Sequence, residues 1–346
     1  MMERRRFCIL GASLGAYALL QPLERAIADT PGRWFERATA MMGTFVSAAV
    51  YTSDAATGEK ALSDCFAFAK ERANEISDWE SESSTSRLNA ARELTKAELA
   101  PSFLSLLDLA TEVARQSGTF CLQTFALTKL WREAREKRSL PSERSIAREA
   151  KLVRESGIEL SSSHIRLLGA GSLEVGGIGK GHVVDLAADH LRSAGVKYGK
   201  VAGSGDIRFV GDTEWSVDIE HPRDESALLG RINFRGPKGV ATSGDYRSCL
   251  QSHGKRYHHL IDCASGYPAP YCQSVTVVAP TAAIADGLST AAFLMPPEQG
   301  VKFLERVAGV EGVIVSADGS IRSTSGASFQ PYDKRSFRSR SSRRSC

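Results

Sequence analysis

The chain has 346 residues, 42% of them hydrophobic and 24% charged, with a formal net charge of +4. This is the composition of a soluble globular protein, and the length suffices for a large core in one big domain or two. The positive charge sits at the ends: residues 1–28 carry Arg4, Arg5, Arg6 and Arg25 against Glu3 and Glu24, and residues 332–346 carry six basic residues against Asp333, which leaves 29–331 at −3. A slightly acidic body gives no electrostatic footing for nucleic-acid binding.

The N-terminus reads as an export signal. Arg4-Arg5-Arg6-Phe7 fits the twin-arginine pattern, and the weakly apolar run Cys8 to Leu20 is too short and too rich in Gly and Ala to span a membrane. Ala26-Ile27-Ala28 fits a small-residue cleavage site, so the mature chain is expected to start at Asp29, without a transmembrane span, in the periplasm. Cys8 stands at the start of the apolar run, not after it, which argues against a lipoprotein. Six cysteines remain after cleavage, none in a Cys-x-x-Cys motif, which removes zinc-ribbon and thioredoxin-like readings. Cys263 and Cys272 are a candidate disulfide pair in an oxidising compartment.

In chain order, Met41 to Tyr51 alternates like a strand, and Ala55 to Trp79 has helical periodicity through Ala61, Cys65, Phe68, Ala69, Ala73 and Ile76. The polar run Glu80 to Arg87 reads as a loop. Leu99 to Gln116 is a helix stopped by Gly118. Leu130–Lys137 and Glu143–Arg154 read as exposed helices. Strands are expected at Ile165–Leu168, Lys200–Ala202, Ile207–Val210, Trp215–Ile219, Arg231–Phe234, His258–Ile261, Ser274–Val278 and Val310–Val315. Helices Gly181–Ala194, Ala282–Met295 and Pro297–Ala308 are interleaved with them. The pattern fits an α+β fold with a large mixed or antiparallel sheet. Residues 29–331 form the body, and the Arg/Ser-rich stretch 332–346 reads as a disordered tail.

Three segments carry chemistry. Glu174-Val175-Gly176-Gly177-Ile178-Gly179-Lys180-Gly181 runs into a helix, so backbone N–H groups and the positive helix end can approach a phosphate. Gly181 after Lys180 excludes a Walker A loop, and an ordinary tight turn remains an alternative. Thr242-Ser243-Gly244-Asp245-Tyr246-Arg247 permits close backbone approach and offers Arg247 to an anion, or is a polar turn after a strand. In the stretch from His259 to Thr290, His259 is a candidate general base or a satisfied core histidine. Asp286 and Thr290, spaced i, i+4, share one helix face. Their oxygens suit a hard cation such as Mg²⁺, or they form a plain buried hydrogen bond.

These segments, taken with Met42-Gly43-Thr44-Phe45, Ser77-Asp78-Trp79, Ser86-Arg87-Leu88-Asn89, Gly205-Asp206-Ile207-Arg208, His259-Leu260-Ile261-Asp262 with Gly266, and Ala285-Asp286-Gly287-Leu288-Ser289-Thr290, resemble the ApbE family of FAD:protein FMN transferases, in the family's order over about residues 38–325. The resemblance implies an ApbE-like fold and Mg²⁺-dependent transfer of FMN from FAD to a threonine of an acceptor protein, with release of AMP. Acceptors in the family include electron-transport flavoproteins and the maturation partner of nitrous oxide reductase. By motif match, Asp286, Thr290 and the Gly177 carbonyl bind the metal, and His259 and Lys180 are catalytic. Met42, Trp79, Thr119, Phe120, Cys121, Glu174, Lys180, Ser243, Gly244 and His259 hold the flavin nucleotide. The chain departs from the family where Glu174 replaces an Asp and Cys121 replaces another, and where Cys263 replaces a Pro. Two alternatives stay open: a pyrophosphatase splitting FAD into FMN and AMP, with water replacing the threonine, and a degenerate flavin-binding or carrier protein, motivated by Cys121 and Glu174.

Overall fold

A two-residue hairpin opens the fold. Met42 (φ 53°) and Gly43 (φ 69°) both take the left-handed region, the geometry whose twist matches two flanking strands. The stretch Met41 to Tyr51, expected as one strand, is therefore the turn and second strand of a hairpin, with Met41 paired to Thr44. The computed structural model describes residues 31–332 except Arg247. The predicted signal segment, residues 333–346 of the predicted tail, and Arg247 lie outside the described residues.

The chain runs β1 (Arg33–Met41), β2 (Thr44–Thr52), α1 (Ala55–Ile76), α2 (Ser84–Ala91), β3 (Glu93–Thr95), α3 (Pro101–Ser117), α4 (Phe125–Lys137), α5 (Glu143–Arg154), β4 (Gly157–Leu160), β5 (His164–Leu168) and α6 (Gly179–Ser193). It continues through β6 (Tyr198–Gly203), β7 (Asp206–Val210), β8 (Glu214–His221), β9 (Asp224–Arg235), β10 (Gly239–Gly244), β11 (Cys249–Ser252), β12 (Lys255–His258) and β13 (Cys272–Ala279). It closes with α7 (Ala282–Phe293), α8 (Pro297–Glu305), β14 (Glu311–Ser316), β15 (Ile321–Ser323) and β16 (Ser328–Pro331).

Eight strands form the main sheet in the order β1-β2-β6-β7-β10-β13-β14-β15. Every neighbouring pair is antiparallel, which resolves the expected mixed or antiparallel sheet. Alternation puts Ala241, Val275, Val277 and Ile314 on one face, against α1, α3, α6 and α7. Val240, Val278 and Val313 point the other way, into a second cluster with Trp215, Val217, Ile219 and Ile232 of the β8–β9–β16 sheet. With both faces covered, β13 is buried at every position, its polar Gln273, Ser274 and Thr276 included.

Four local expectations are corrected. The loop at Glu80–Arg87 becomes α2 from Ser84, because the Ser83 side chain caps it on the Ser86 N–H. The helices expected to be exposed bury Leu127, Trp131 and Ala134 in α4, and Ile146, Ala150 and Val153 in α5, around a third cluster with Ile261 and Cys263. The strand expected over His258–Ile261 ends at His258; beyond it Ile261 only bridges to Pro268. Cys263 and Cys272 are both free: Cys272 Sγ lies on the Met295 carbonyl, whereas Cys263 sits beside Cys121. At the boundary drawn for the tail, Tyr332 is tied to the body, its hydroxyl donating to Asp218 at 2.6 Å.

Candidate active site

Two helix starts meet at one end of the main sheet. Asp185 of α6 accepts hydrogen bonds from the Ala282 and Ala283 N–H groups, 2.8 Å each, so it caps the first turn of α7. In return, Asp286 of α7 accepts from the Gly181 N–H at 3.1 Å, in the first turn of α6. Gly181 makes this approach possible: a Cβ there would lie 2.5 Å from the Ala282 carbonyl oxygen. Arg208 of β7 completes the joint, 3.4 Å from Asp185.

One turn along α7, the Thr290 hydroxyl lies 3.3 Å from the Gly177 carbonyl and 3.2 Å from Ser243 Oγ, which also bonds Ser289 at 2.9 Å. Lys180 donates to the Gly176 carbonyl at 2.6 Å and closes the glycine turn on itself. The β6–β7 turn, with Ser204 (φ 58°) and Gly205 (φ 101°) in the left-handed region, delivers Asp206 to the same place. These groups line one cavity of about 390 Å³ together with Phe120, Cys121, Glu174, Gly244 and His259.

Ten of the thirteen predicted site residues therefore come together: Phe120, Cys121, Glu174, Gly177, Lys180, Ser243, Gly244, His259, Asp286 and Thr290. Three do not line the cavity. Trp79 is 64% exposed, with the Arg132 guanidinium 4.2 Å from its ring centroid. Met42 sits at the hairpin tip, and Thr119 turns its hydroxyl to the Ala291 carbonyl at 3.0 Å. The adjacent histidines divide their roles. His258 is the satisfied core residue, with Nε2 3.0 Å from the Ala269 carbonyl, while His259 faces the cavity.

The electrostatics are uneven. Burial, then the neighbouring Asp286 charge, raises the Asp206 pKa well above the ordinary carboxylate range, while Lys180 opposes the rise. Burial works against charge on Lys180, yet Asp286, Asp206, Glu174 and Asp78 raise its pKa, so it remains an ammonium. Burial and the Lys180 and His258 charges hold His259 well below the usual histidine value, so its imidazole is neutral at neutral pH. Burial raises Glu174, whose carboxylate accepts from Thr124 Oγ1 at 2.9 Å.

The oxygens suit a hard cation. Among the described residues no group of three or more His, Cys, Asp or Glu side chains is placed to hold a metal. The set here is one carboxylate (Asp286), one hydroxyl (Thr290) and one carbonyl (Gly177), all of the hard type that Mg²⁺ takes. Asp206 Oδ2 is buried and has no hydrogen-bond partner among the described residues. A buried carboxylate oxygen left unmet beside a second carboxylate is a place where a cation is favourable.

Sequence reasoning undervalued Asp206, which entered only as part of a motif; its position one residue past a glycine turn at a strand end was the available signal. It missed Thr124, Thr128, Arg132 and Arg135, which also line the cavity. Arg132 and Arg135 fall in the helix expected to be exposed, and Thr124 and Thr128 lie before its expected start.

The ApbE family model matches residues 42–314. The FAD:protein FMN transferase of Treponema pallidum is 28% identical over 323 residues, covering 85% of this chain and 88% of the relative. One from Klebsiella pneumoniae is 30% identical over 231 residues, covering 65% and 72%. Among solved structures, the ApbE protein of Thermotoga maritima superposes with a TM-score of 0.76 at 26% identity, over 85% of this chain and 97% of that one. The apo flavinyl transferase ApbE of Pseudomonas stutzeri does so at 0.71 and 26%, over 85% and 95%. With the match running through the glycine turn, α6, α7 and the His259 segment, this chain belongs to the ApbE family.

Proposed function

We propose that the protein transfers FMN from FAD to a threonine hydroxyl of an acceptor protein and releases AMP. The observation that carries this reading is the convergence of Asp286, Thr290, the Gly177 carbonyl, Lys180 and His259 on one cavity in a chain of this family. Curated relatives over most of its length are FAD:protein FMN transferases.

Asp286, Thr290 and Gly177 would hold Mg²⁺, whose charge when bound offsets the negative charge that develops on a pyrophosphate as it is cleaved. Lys180 adds a fixed positive charge to the same wall, and its bond to Gly176 keeps the glycine turn in shape. The N-terminal end of α6 adds a partial positive charge at the glycine turn, while its Gly179 and Gly181 N–H groups are held by the Val175 carbonyl and by Asp286. His259, neutral and facing the cavity, accepts the acceptor hydroxyl's proton or orients that hydroxyl for attack at phosphorus. Phe120 gives the flavin nucleotide an apolar surface, and Trp79 offers a ring at its exposed position. We further propose that the protein acts in the periplasm, exported folded by the twin-arginine route, on an electron-transport flavoprotein or on the maturation partner of nitrous oxide reductase. The readings rest on Arg4-Arg5-Arg6-Phe7 and on the family resemblance.

The test mixes purified protein, FAD, Mg²⁺ and a threonine-bearing acceptor domain. In-gel flavin fluorescence on the acceptor with stoichiometric AMP supports transfer. Free FMN and AMP without labelled acceptor would turn the assignment to a pyrophosphatase, and no AMP at all would leave a flavin carrier.

A further inference from the structure

Helix α4 presents two faces. Leu127, Trp131 and Ala134 are buried in the third apolar cluster, and Trp131 Nε1 donates to the Gly266 carbonyl at 2.8 Å. The neighbouring stripe Thr124, Thr128, Arg132 and Arg135, spaced four, four and three residues apart, faces the substrate cavity. Thr124 and Thr128 are spent on the Glu174 carboxylate. Among the described residues neither arginine has a hydrogen-bonded carboxylate: Asp78 and Glu174 act on Arg132, and Glu136 and Glu174 on Arg135, only through space. Arg132 lies over the Trp79 ring, a contact with a π-face that leaves its N–H edge free for an anion. Arg135 is more telling: its Nη1 is buried and has no hydrogen-bond partner among the described residues.

A guanidinium on a solvated helix face satisfies its donors with water. One whose donor is shut away from solvent and left unmet is destabilising, and a second guanidinium on the same wall adds to that. Burial and the Arg132 charge depress the Arg135 pKa, with Glu136, Cys249 and Glu174 offsetting them only in part. Arg135 also helps to hold down the His259 pKa alongside Lys180, which places it in the same electropositive wall as the predicted catalytic groups.

We propose that Arg135, assisted by Arg132, is an oxyanion-binding pair that receives pyrophosphate oxygens of FAD and sets the preference of the cavity for phosphorylated flavin over riboflavin. The inference rests on the FAD-dependent reading of the cavity. A guanidinium fork presents paired, coplanar donors that match the oxygens of one phosphate, and a phosphate supplies both the partner that Nη1 lacks and the charge that two adjacent cations need. The arrangement stores instability in the free protein that is relieved on binding, as expected of a group kept for a ligand rather than for the fold.

The experiment measures equilibrium binding of FAD, FMN and riboflavin by flavin fluorescence anisotropy, without acceptor protein, for the wild type, Arg135→Gln, Arg135→Lys and Arg132→Gln, with Tm recorded for each free protein. Arg135→Gln is expected to weaken FAD about tenfold or more, to leave riboflavin unchanged, and to flatten the salt dependence of FAD binding. Its Tm should equal or exceed that of the wild type, and Arg135→Lys should recover part of the FAD affinity. Equal losses for FAD and riboflavin, or a lowered Tm with loss of all ligands, would make Arg135 a structural residue and overturn the proposal. Unchanged FAD binding with a raised acceptor KM would assign the pair to the acceptor protein and also overturn it. A wild type that binds FAD and transfers FMN alongside an unaffected variant sinks this inference alone. A wild type that binds no FAD sinks the functional reading as well.

Discussion

Replacing Asp185 with Ala removes the clamp that sets α7 against α6, and its effect is calculable with a pH signature. Asp185 is 8% exposed and meets the Ala282 and Ala283 N–H groups at 2.8 Å, Arg208 at 3.4 Å and the Thr281 side chain. Losing the two capping bonds costs about 1 kcal/mol each, while Arg208 keeps its hydrogen bonds to the Pro237 and Pro280 carbonyls. Against this, burial pushes the Asp185 pKa up to about 6 from 3.8, the capping bonds and Arg208 notwithstanding. At pH 7 the wild type therefore carries an ionised carboxylate at a cost of about 3 kcal/mol, which the variant does not bear. That cost is already net of the capping bonds and the Arg208 contact, so the penalty of the substitution is smallest at pH 7 and above. A raised folded-state pKa means that the wild type gains stability from this group as pH falls through about 6, in full below 3.8, and loses it as pH rises. The penalty of Asp185→Ala must therefore grow on acidification, by about 1.4 kcal/mol per pH unit between those two values. Urea denaturation at pH 7 and pH 5 measures it. A penalty that is equal or smaller at pH 5 would falsify the buried-charge account. Full FMN transfer in the folded variant would refute the claim that this clamp positions Asp286 and Thr290.

Asp286→Ala should abolish Mg²⁺-dependent AMP release while the protein remains folded by circular dichroism; unchanged AMP production refutes the metal assignment. Gly181→Ala puts a Cβ 2.5 Å from the Ala282 carbonyl oxygen, and this overpacking should cost about 1–3 kcal/mol and lower turnover by shifting α7; a wild-type melting temperature would show that the helices separate freely. His259 is held below the ordinary histidine pKa, so in the pH profile of kcat/KM for FAD its base form should persist below pH 6, and an acid limb centred near 6.5 that His259→Gln removes would contradict this.

The α+β class, the helix spans and the positions of most strands were legible in the sequence because periodicity follows from which face is buried. Gly118 ends α3 in the left-handed region (φ 67°), as its place after an apolar-periodic run requires. Where reading failed, a local signal had two meanings. Met42-Gly43 looks like part of an alternating strand until both residues adopt positive φ. The polar run before α2 looks like a loop because its serines serve as a cap and as buried bonds, Thr85 Oγ1 donating to the Ile76 carbonyl at 2.7 Å. Cys263 is near Cys272 in sequence but packs beside Cys121, which lies on the segment before α4.

The sequence by itself determined the family, the glycine turn that opens α6, and the Asp286–Thr290 pair, because each is a short motif whose spacing survives any folding of the remainder. Only the tertiary structure decided which motif residues meet. It separated His259 in the cavity from His258 in the core, brought Asp206 beside Asp286, and left Met42, Trp79 and Thr119 off the cavity lining. It also converted the Arg132–Arg135 stripe from a solvated helix face into a cavity wall with an unmet donor. The physical reason is that burial and electrostatic neighbourhood are properties of segments far apart in the chain, and no window of sequence contains them.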